Sequence, residues 1–168
     1  ALAPICGALD WRPHIWLTGG AGTGKSAILD RFISPLLADM GVHVSGNTTE
    51  AGLRQTLKSD ALPIVFEKAD QTRMQSILAL ARVASSETNA QMIKGSPNGE
   101  VIRFHLRSMF FLSSISTALK QGADRTRFTQ LTLRTASRMN KHERAAHWEM
   151  LERDLDKIIT EETAQRLI

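Results

Sequence analysis

The sequence holds a single cysteine, Cys6, so no internal disulfide can form and the chain suits a reducing cytosol. Set among Ala, Ile and Gly, Cys6 reads as a small buried hydrophobe rather than a nucleophile. No apolar run approaches the roughly 20 residues that a membrane-spanning helix needs, and the N-terminus lacks a charged, cleavable signal. These absences point to a cytoplasmic protein with no membrane partner. The five histidines follow no metal-ligand spacing, and His142 and His147 fall off one helix face. Internal repeats and low-complexity segments are also missing. What is present is ordinary for a globular domain: 168 residues, 42% hydrophobic and 23% charged. A net charge of +4 permits a nucleic-acid partner without demanding one. The abrupt start at Ala1 and the helical pattern running to Ile168 suggest a domain of a longer protein.

One stretch carries most of the chemical information. The apolar run Ile15-Trp16-Leu17 reads as a buried strand and leads into Gly19-Gly20-Ala21-Gly22-Thr23-Gly24-Lys25-Ser26, which matches G-x-x-x-x-G-K-[ST]. An apolar-periodic helix follows, from Ala27 to about Ile33. Glycines let the backbone curl so that successive N–H groups point inward as an anion nest. The helix start adds positive potential at the same spot. Lys25 then suits β- and γ-phosphates, and the Ser26 hydroxyl suits Mg²⁺. The expected ligands are therefore a nucleoside triphosphate and Mg²⁺, bound by Gly19, Gly20, Ala21, Gly22, Thr23, Gly24, Lys25 and Ser26.

Further along, Pro35 interrupts the helical spacing, so Ser34 is expected to cap a second short helix. Val42-His43-Val44 is a strand candidate, and Thr48 or Thr49 caps a helix reaching Leu57. Pro63-Ile64-Val65-Phe66 reads as a core strand, followed by a helix with Met74, Ile77, Leu78, Ala81 and Val83 on one face. The runs Gln91 to Gly95 and Glu100 to Phe104 flank Ser96-Pro97-Asn98-Gly99, a β-hairpin signal. Met109-Phe110-Phe111-Leu112 is another core strand ending in Ser113-Ser114. A polar loop is expected at Gly122 to Arg127, then a last strand with Phe128, Leu131 and Leu133. Lys141 to Ile159 reads as an amphipathic helix with Trp148, Leu151, Leu155 and Ile158 inward, and another helix begins at Glu161. Trp11, Trp16 and Trp148 read as core residues. Alternating strands and helices imply an α/β parallel sheet, whose ligands gather at the carboxyl ends of the strands.

A phosphate loop needs a carboxylate to hold Mg²⁺ and, for hydrolysis, a base for water. Glu67, after Ile64-Val65-Phe66, suits the first role. Lys68 stands where the base is expected, so either Asp70 substitutes or hydrolysis is weak. Ser113 or Ser114 suits contact with the γ-phosphate or the attacking water. Arg125 and Arg127 suit an arginine finger reaching a neighbouring subunit, or a solvated basic loop. Lys94 and Arg103 on the hairpin suit a nucleic-acid backbone, although lysine at a sheet edge also guards against aggregation.

The order of these features resembles the AAA+ ATPases, and within them the compact helicase domains of superfamily 3 and of phage- and plasmid-type primase–helicases. Trp11-Arg12-Pro13-His14-Ile15-Trp16-Leu17-Thr18-Gly19, Thr49-Glu50-Ala51-Gly52-Leu53-Arg54-Gln55 and Ile93-Lys94-Gly95 add to the likeness, which spans roughly residues 10–135. It implies an AAA+-like P-loop core at 1–140 with an inserted hairpin, and a C-terminal helical segment at 141–168. It also implies an ATP-driven homo-oligomeric ring, often a hexamer, with hairpins gripping single-stranded DNA and with further domains of a replication protein. By that likeness Glu67 is the Walker B acid, Ser113 or Ser114 is sensor 1, Lys94 contacts DNA, and Arg125 or Arg127 is the finger. The family usually carries Asp-Glu where this chain has Glu67-Lys68, and often Asn where it has Ser113-Ser114. Two other functions fit the residues. One is a small-molecule kinase, with Arg54 and the Arg125/Arg127 loop as substrate and lid groups. The other is an assembly or sensing module that binds ATP and hydrolyses little.

Overall fold

The computed structural model describes residues 12–45, 47–68, 71–86, 91–95, 101–117, 119, 122–134 and 139–167, some of them as backbone alone. Cys6, Trp11, Asp70 and the turn at 96–99 lie outside the described residues. Five strands form one parallel sheet in the order β2 (Val42–Ser45), β3 (Ile64–Glu67), β6 (Phe110–Ser114), β1 (His14–Thr18), β7 (Phe128–Thr132). The three central strands are buried on both faces, which explains their near-continuous apolar runs. Strands β4 (Gln91–Gly95) and β5 (Val101–His105) pair antiparallel as a separate two-stranded sheet, the expected hairpin.

Helices cover both faces. On one face, Trp16, Ile64, Phe66, Phe110, Leu112 and Phe128 pack against α3 (Glu50–Leu57) and α4 (Gln71–Ser86). Thr49 caps α3 through its side chain, which accepts from the Gly52 N–H at 3.1 Å. On the other face, Leu17, Val65 and Phe111 meet Leu29 and Leu37. These last two belong to one helical run: α1 (Lys25–Ile28), a π-helical turn (Leu29–Ile33) and α2 (Ser34–Leu37), then a 3₁₀ turn to Met40. Such an arrangement is compatible with Rossmann-like and P-loop folds. Ser34 does not cap a new helix: it continues the run as the first residue of α2, behind Ile33 in helical backbone. The wider π turn lies just before Pro35, where a regular turn would miss an N–H and meet the ring.

Two other expectations fail. The stretch Gly122 to Arg127 is not a loop but a helix, α5 (Gly122–Arg127). Its Asp124 is buried and bridges to Arg82 of α4 at 2.6 Å, a partner distant in sequence. The amphipathic stripe of α6 (Lys141–Ile158) does not turn inward: no residue of that helix is buried, and Trp148, Leu151 and Ile158 are exposed. Helix α6 is tied to the π turn through Arg31 and Glu152 at 3.1 Å. Helix α7 (Glu161–Leu167) packs beside α2. Among the described residues, no helix is long and apolar enough to cross a membrane.

Candidate nucleotide-binding site

The glycine loop leaves β1 at the carboxyl edge of the sheet. Gly22 (φ 73°) and Gly24 (φ 90°) adopt left-handed backbone that a side chain would strain, and Gly24 opens α1. Gly19 is needed for space instead. A Cβ there would stand 2.5 Å from Thr23 Oγ1 and 3.1 Å from the carbonyl oxygen of Leu133. The Thr23 hydroxyl donates to the Gly20 carbonyl at 2.9 Å, and Lys25 Nζ donates to the carbonyls of Gly19 (2.7 Å) and Gly20 (2.8 Å). The lysine therefore curls over its own loop, with its charge at the mouth. Ala21 sits exposed at the loop's outer turn.

Ser26 Oγ donates to Glu67 Oε1 at 2.8 Å. This bond joins the loop to the end of β3, although β6 lies between β1 and β3. The register explains the reach: Ser113 of β6 pairs with Leu17 on one side and Glu67 on the other. Alternation places Ser113 on the face of Leu17, Val65 and Phe111, the face that the loop's helical run covers. Ser113 is thus buried between loop and acid. Ser114 points to the opposite face, where its hydroxyl accepts from Trp16 Nε1 at 2.8 Å and donates to the Ser116 carbonyl at 2.6 Å. The two serines, interchangeable by position in the sequence, are separated by one step of the pleat. Beyond Glu67 a groove of about 220 Å³ is lined by Leu29, Asp30, Ser34, His43, Ser45 and Val65, and sequence patterning carried no sign of it.

Lys68 follows Glu67 with φ at +52° and is exposed. Left-handed backbone at a non-glycine residue costs about 1–2 kcal/mol, so this turn is strained. Ser26 and Glu67 together offer two hard oxygen ligands within hydrogen-bond reach, which suits a Mg²⁺ that completes its shell with phosphate and water. Among the described residues no group of three His, Cys, Asp or Glu side chains gathers into a protein-only metal site.

The arginines of α5 lie elsewhere. Phe128, next after Arg127, pairs with His14 at the start of β1. The end of α5 therefore sits at the amino edge of the sheet, about 16 Å of strand away from the loop. Arg127 is half-buried and donates to the Ala123 carbonyl at 2.9 Å, whereas Arg125 is exposed. Neither reaches the glycine loop of its own chain. Arg54 is buried, pairs with Glu50 at 3.2 Å and lies over the Phe104 ring at 5.5 Å. Phe104 and Leu106 anchor the hairpin in the core, while Ile93, Val101 and Arg103 are exposed. The backbone of Lys94 pairs opposite Ile102; its side chain is outside the described set.

Two buried polar residues were not singled out from the sequence. The backbone N–H of Phe110 donates to His14 Nδ1 at 3.1 Å, which makes Nε2 the protonated nitrogen donating to the Ala81 carbonyl at 2.8 Å. Burial, with Arg12 and Arg127 adding to it, lowers the His14 pKa from 6.5 to about 4, against the opposing pull of the Ala81 carbonyl. Arg12 donates to the Ala84 carbonyl at 2.7 Å, so its charge meets the negative end of α4. Only the long-range fold brings these partners together.

No protein-family model matches the chain, and no curated protein does. A solved structure does: the A form apo structure of the NrS-1 C-terminal region, at 13% identity and a TM-score of 0.53. The match covers 94% of this chain but 37% of that one, so the chain spans just over a third of its neighbour. At that identity the likeness is one of fold.

Proposed function

We propose that the chain is the ATP-binding motor domain of a DNA helicase or primase–helicase from a phage or mobile element, coupling ATP hydrolysis to movement along single-stranded DNA. The observation that carries this reading is the Ser26–Glu67 hydrogen bond. It places the hydroxyl of a Gly-Lys-Ser loop on the carboxylate of a strand two positions away, with Ser113 buried between them. On this reading the loop N–H groups and Lys25 take the β- and γ-phosphates, the lysine exchanging its two carbonyl partners for phosphate oxygens. Ser26 and Glu67 would hold Mg²⁺, which would supply neutralisation of phosphate charge there. Ser113 faces the γ-phosphate position and orients the attacking water. Arg125, exposed at the opposite edge, serves the site of a neighbouring subunit in a homo-oligomeric ring.

The separate hairpin between α4 and β6 supports a motor over a small-molecule kinase, with Arg103 and Lys94 as the DNA-contacting residues. The kinase reading also loses its substrate arginine, because Arg54 is consumed by Glu50 and Phe104. One observation favours the assembly or sensing module: Lys68, exposed and in a strained turn, occupies the place of a base. Turnover assays separate the two. ATP hydrolysis that rises with single-stranded DNA and vanishes in Lys25→Ala is the expected result. ATP binding that drives assembly without turnover would replace the motor with the sensing module, and absence of ATP binding would overturn both.

A further inference from the structure

The nucleoside end of the site has no residue assigned to it, and the strand order supplies one. This inference rests on the nucleotide reading above. Groups suited to Mg²⁺ and the γ-phosphate, Ser26, Glu67 and Ser113, all lie on the β6 and β3 side of β1. A nucleotide seated in the loop is long and roughly linear, so its base extends away from them. The other neighbour of β1 is β7.

Strand β7 is fastened to the loop at the carboxyl edge. Thr18 Oγ1 and Thr132 Oγ1 are 3.1 Å apart, and the Leu133 N–H donates to the Thr18 carbonyl at 2.7 Å. Leu133 then packs so closely on Gly19 that a Cβ there would stand only 3.1 Å from its Cβ and from its carbonyl oxygen. The next residue, Arg134, is exposed. It is a guanidinium one residue beyond the wall of the phosphate loop, on the side away from the acid.

We propose that Leu133 and Arg134 form the nucleoside side of the site, with the Arg134 guanidinium stacked on the face of the base. Phosphate charge is already met by Lys25 and the loop N–H groups, and a planar, weakly hydrated guanidinium lies flat on a π-face, whereas a strongly hydrated ammonium makes only a point contact. Leu133 contributes an apolar edge beside it, and its half-buried side chain is held in the cluster that contains Leu17 and Leu29. The residue therefore selects for a base-bearing ligand over bare polyphosphate.

The test compares ATP with inorganic tripolyphosphate, both with Mg²⁺, by titration calorimetry on the wild-type chain, Arg134→Ala, Arg134→Lys and Lys25→Ala. Arg134→Ala should weaken ATP about tenfold, the scale of one cation–π contact, and leave tripolyphosphate unchanged. Arg134→Lys should recover little of the loss. Equal weakening of both ligands would make Arg134 a phosphate contact and overturn the proposal, as would unchanged affinity for both. Lys25→Ala should weaken both ligands, and wild-type protein that binds neither would overturn the nucleotide reading itself.

Discussion

Acid should loosen the strand that carries the glycine loop, through one residue. His14 opens β1 in the neutral form, with Nε2–H on the Ala81 carbonyl and Nδ1 accepting from Phe110. A second proton would go on Nδ1, facing the Phe110 N–H with nothing to accept it. Its folded pKa is about 4 against 6.5 for a free side chain. Because the folded value is depressed, the unfolded chain binds the proton first. The contribution is therefore complete above pH 6.5 and lost as pH falls towards about 4. At about 1.4 kcal/mol per pKa unit the full loss is about 3 kcal/mol, of which about 2 kcal/mol is gone by pH 5. Urea unfolding of the wild-type chain and His14→Gln, each at pH 8, 6.5 and 5, measures it. Glutamine can serve both hydrogen bonds without titrating, though it gives up ring contacts with Phe110 and Phe128. The variant should be less stable at pH 8 yet lose about 2 kcal/mol less than wild type on acidification. An identical pH dependence in the two proteins would refute the reasoning.

Breaking the Arg82–Asp124 pair should cost more than a surface bridge, because Asp124 is 1% exposed. Arg82→Ala should lose about 3 kcal/mol in urea unfolding, and Arg82→Ala with Asp124→Ala should lose less than the sum of the single changes. Lys68→Gly should gain about 1 kcal/mol by relieving left-handed strain, read as a raised urea midpoint. Lys68→Glu should bring no such gain, and it restores turnover only if the missing base limits hydrolysis. Ser26→Ala should abolish the Mg²⁺-dependent part of ATP affinity while leaving Mg²⁺-free binding within about twofold, since in the proposed function the hydroxyl would serve the metal rather than the phosphates. Calorimetry with and without Mg²⁺ checks this.

The core strands were legible in the sequence because each is a short apolar run closed by turn residues, and Thr48-Thr49 announced a helix by capping chemistry, of which Thr49 makes the bond. The hairpin was legible for the same reason: two strand-like runs flank Pro-Asn-Gly. Helix α5 was not, since Gly-Ala-Asp-Arg-Thr-Arg has no apolar period. What fastens it is one buried carboxylate whose partner lies 42 residues away. The α6 stripe misled in a different way. Period 3.6 shows that a helix has an apolar face, not what lies against it, and here the face stays open. In the site, Lys25, Ser26 and Glu67 could be picked out by residue type and order. Choosing Ser113 over Ser114 could not, because it depends on the register between β6 and its neighbours. Leu133 read only as a strand residue and Arg134 not at all, because the place proposed for them beside the loop shows only once β7 is seen fastened to Thr18.

The two edges of the sheet carry opposite chemistry, and that separation bears on how the proposed motor works. Ser26, Glu67 and Ser113 gather at the carboxyl edge around the glycine loop, with Lys25 as its cation. Arg12, Arg125 and Arg127 gather at the amino edge, where Arg12 is spent on the end of α4 and Arg127 on the carbonyl of Ala123. Arg125 alone of these three is exposed. A strand of five residues is rigid on the scale of a side chain, so no rotamer change brings Arg125 to the phosphates of its own chain. Arg125 can therefore act as a finger only if another copy sets its amino edge against this carboxyl edge. Such a contact uses two different patches, so repeated copies would form a ring where the rotation closes and an open filament where it does not, rather than a two-fold dimer. The proposed finger requires such a contact, and the proposed ring is its closed form.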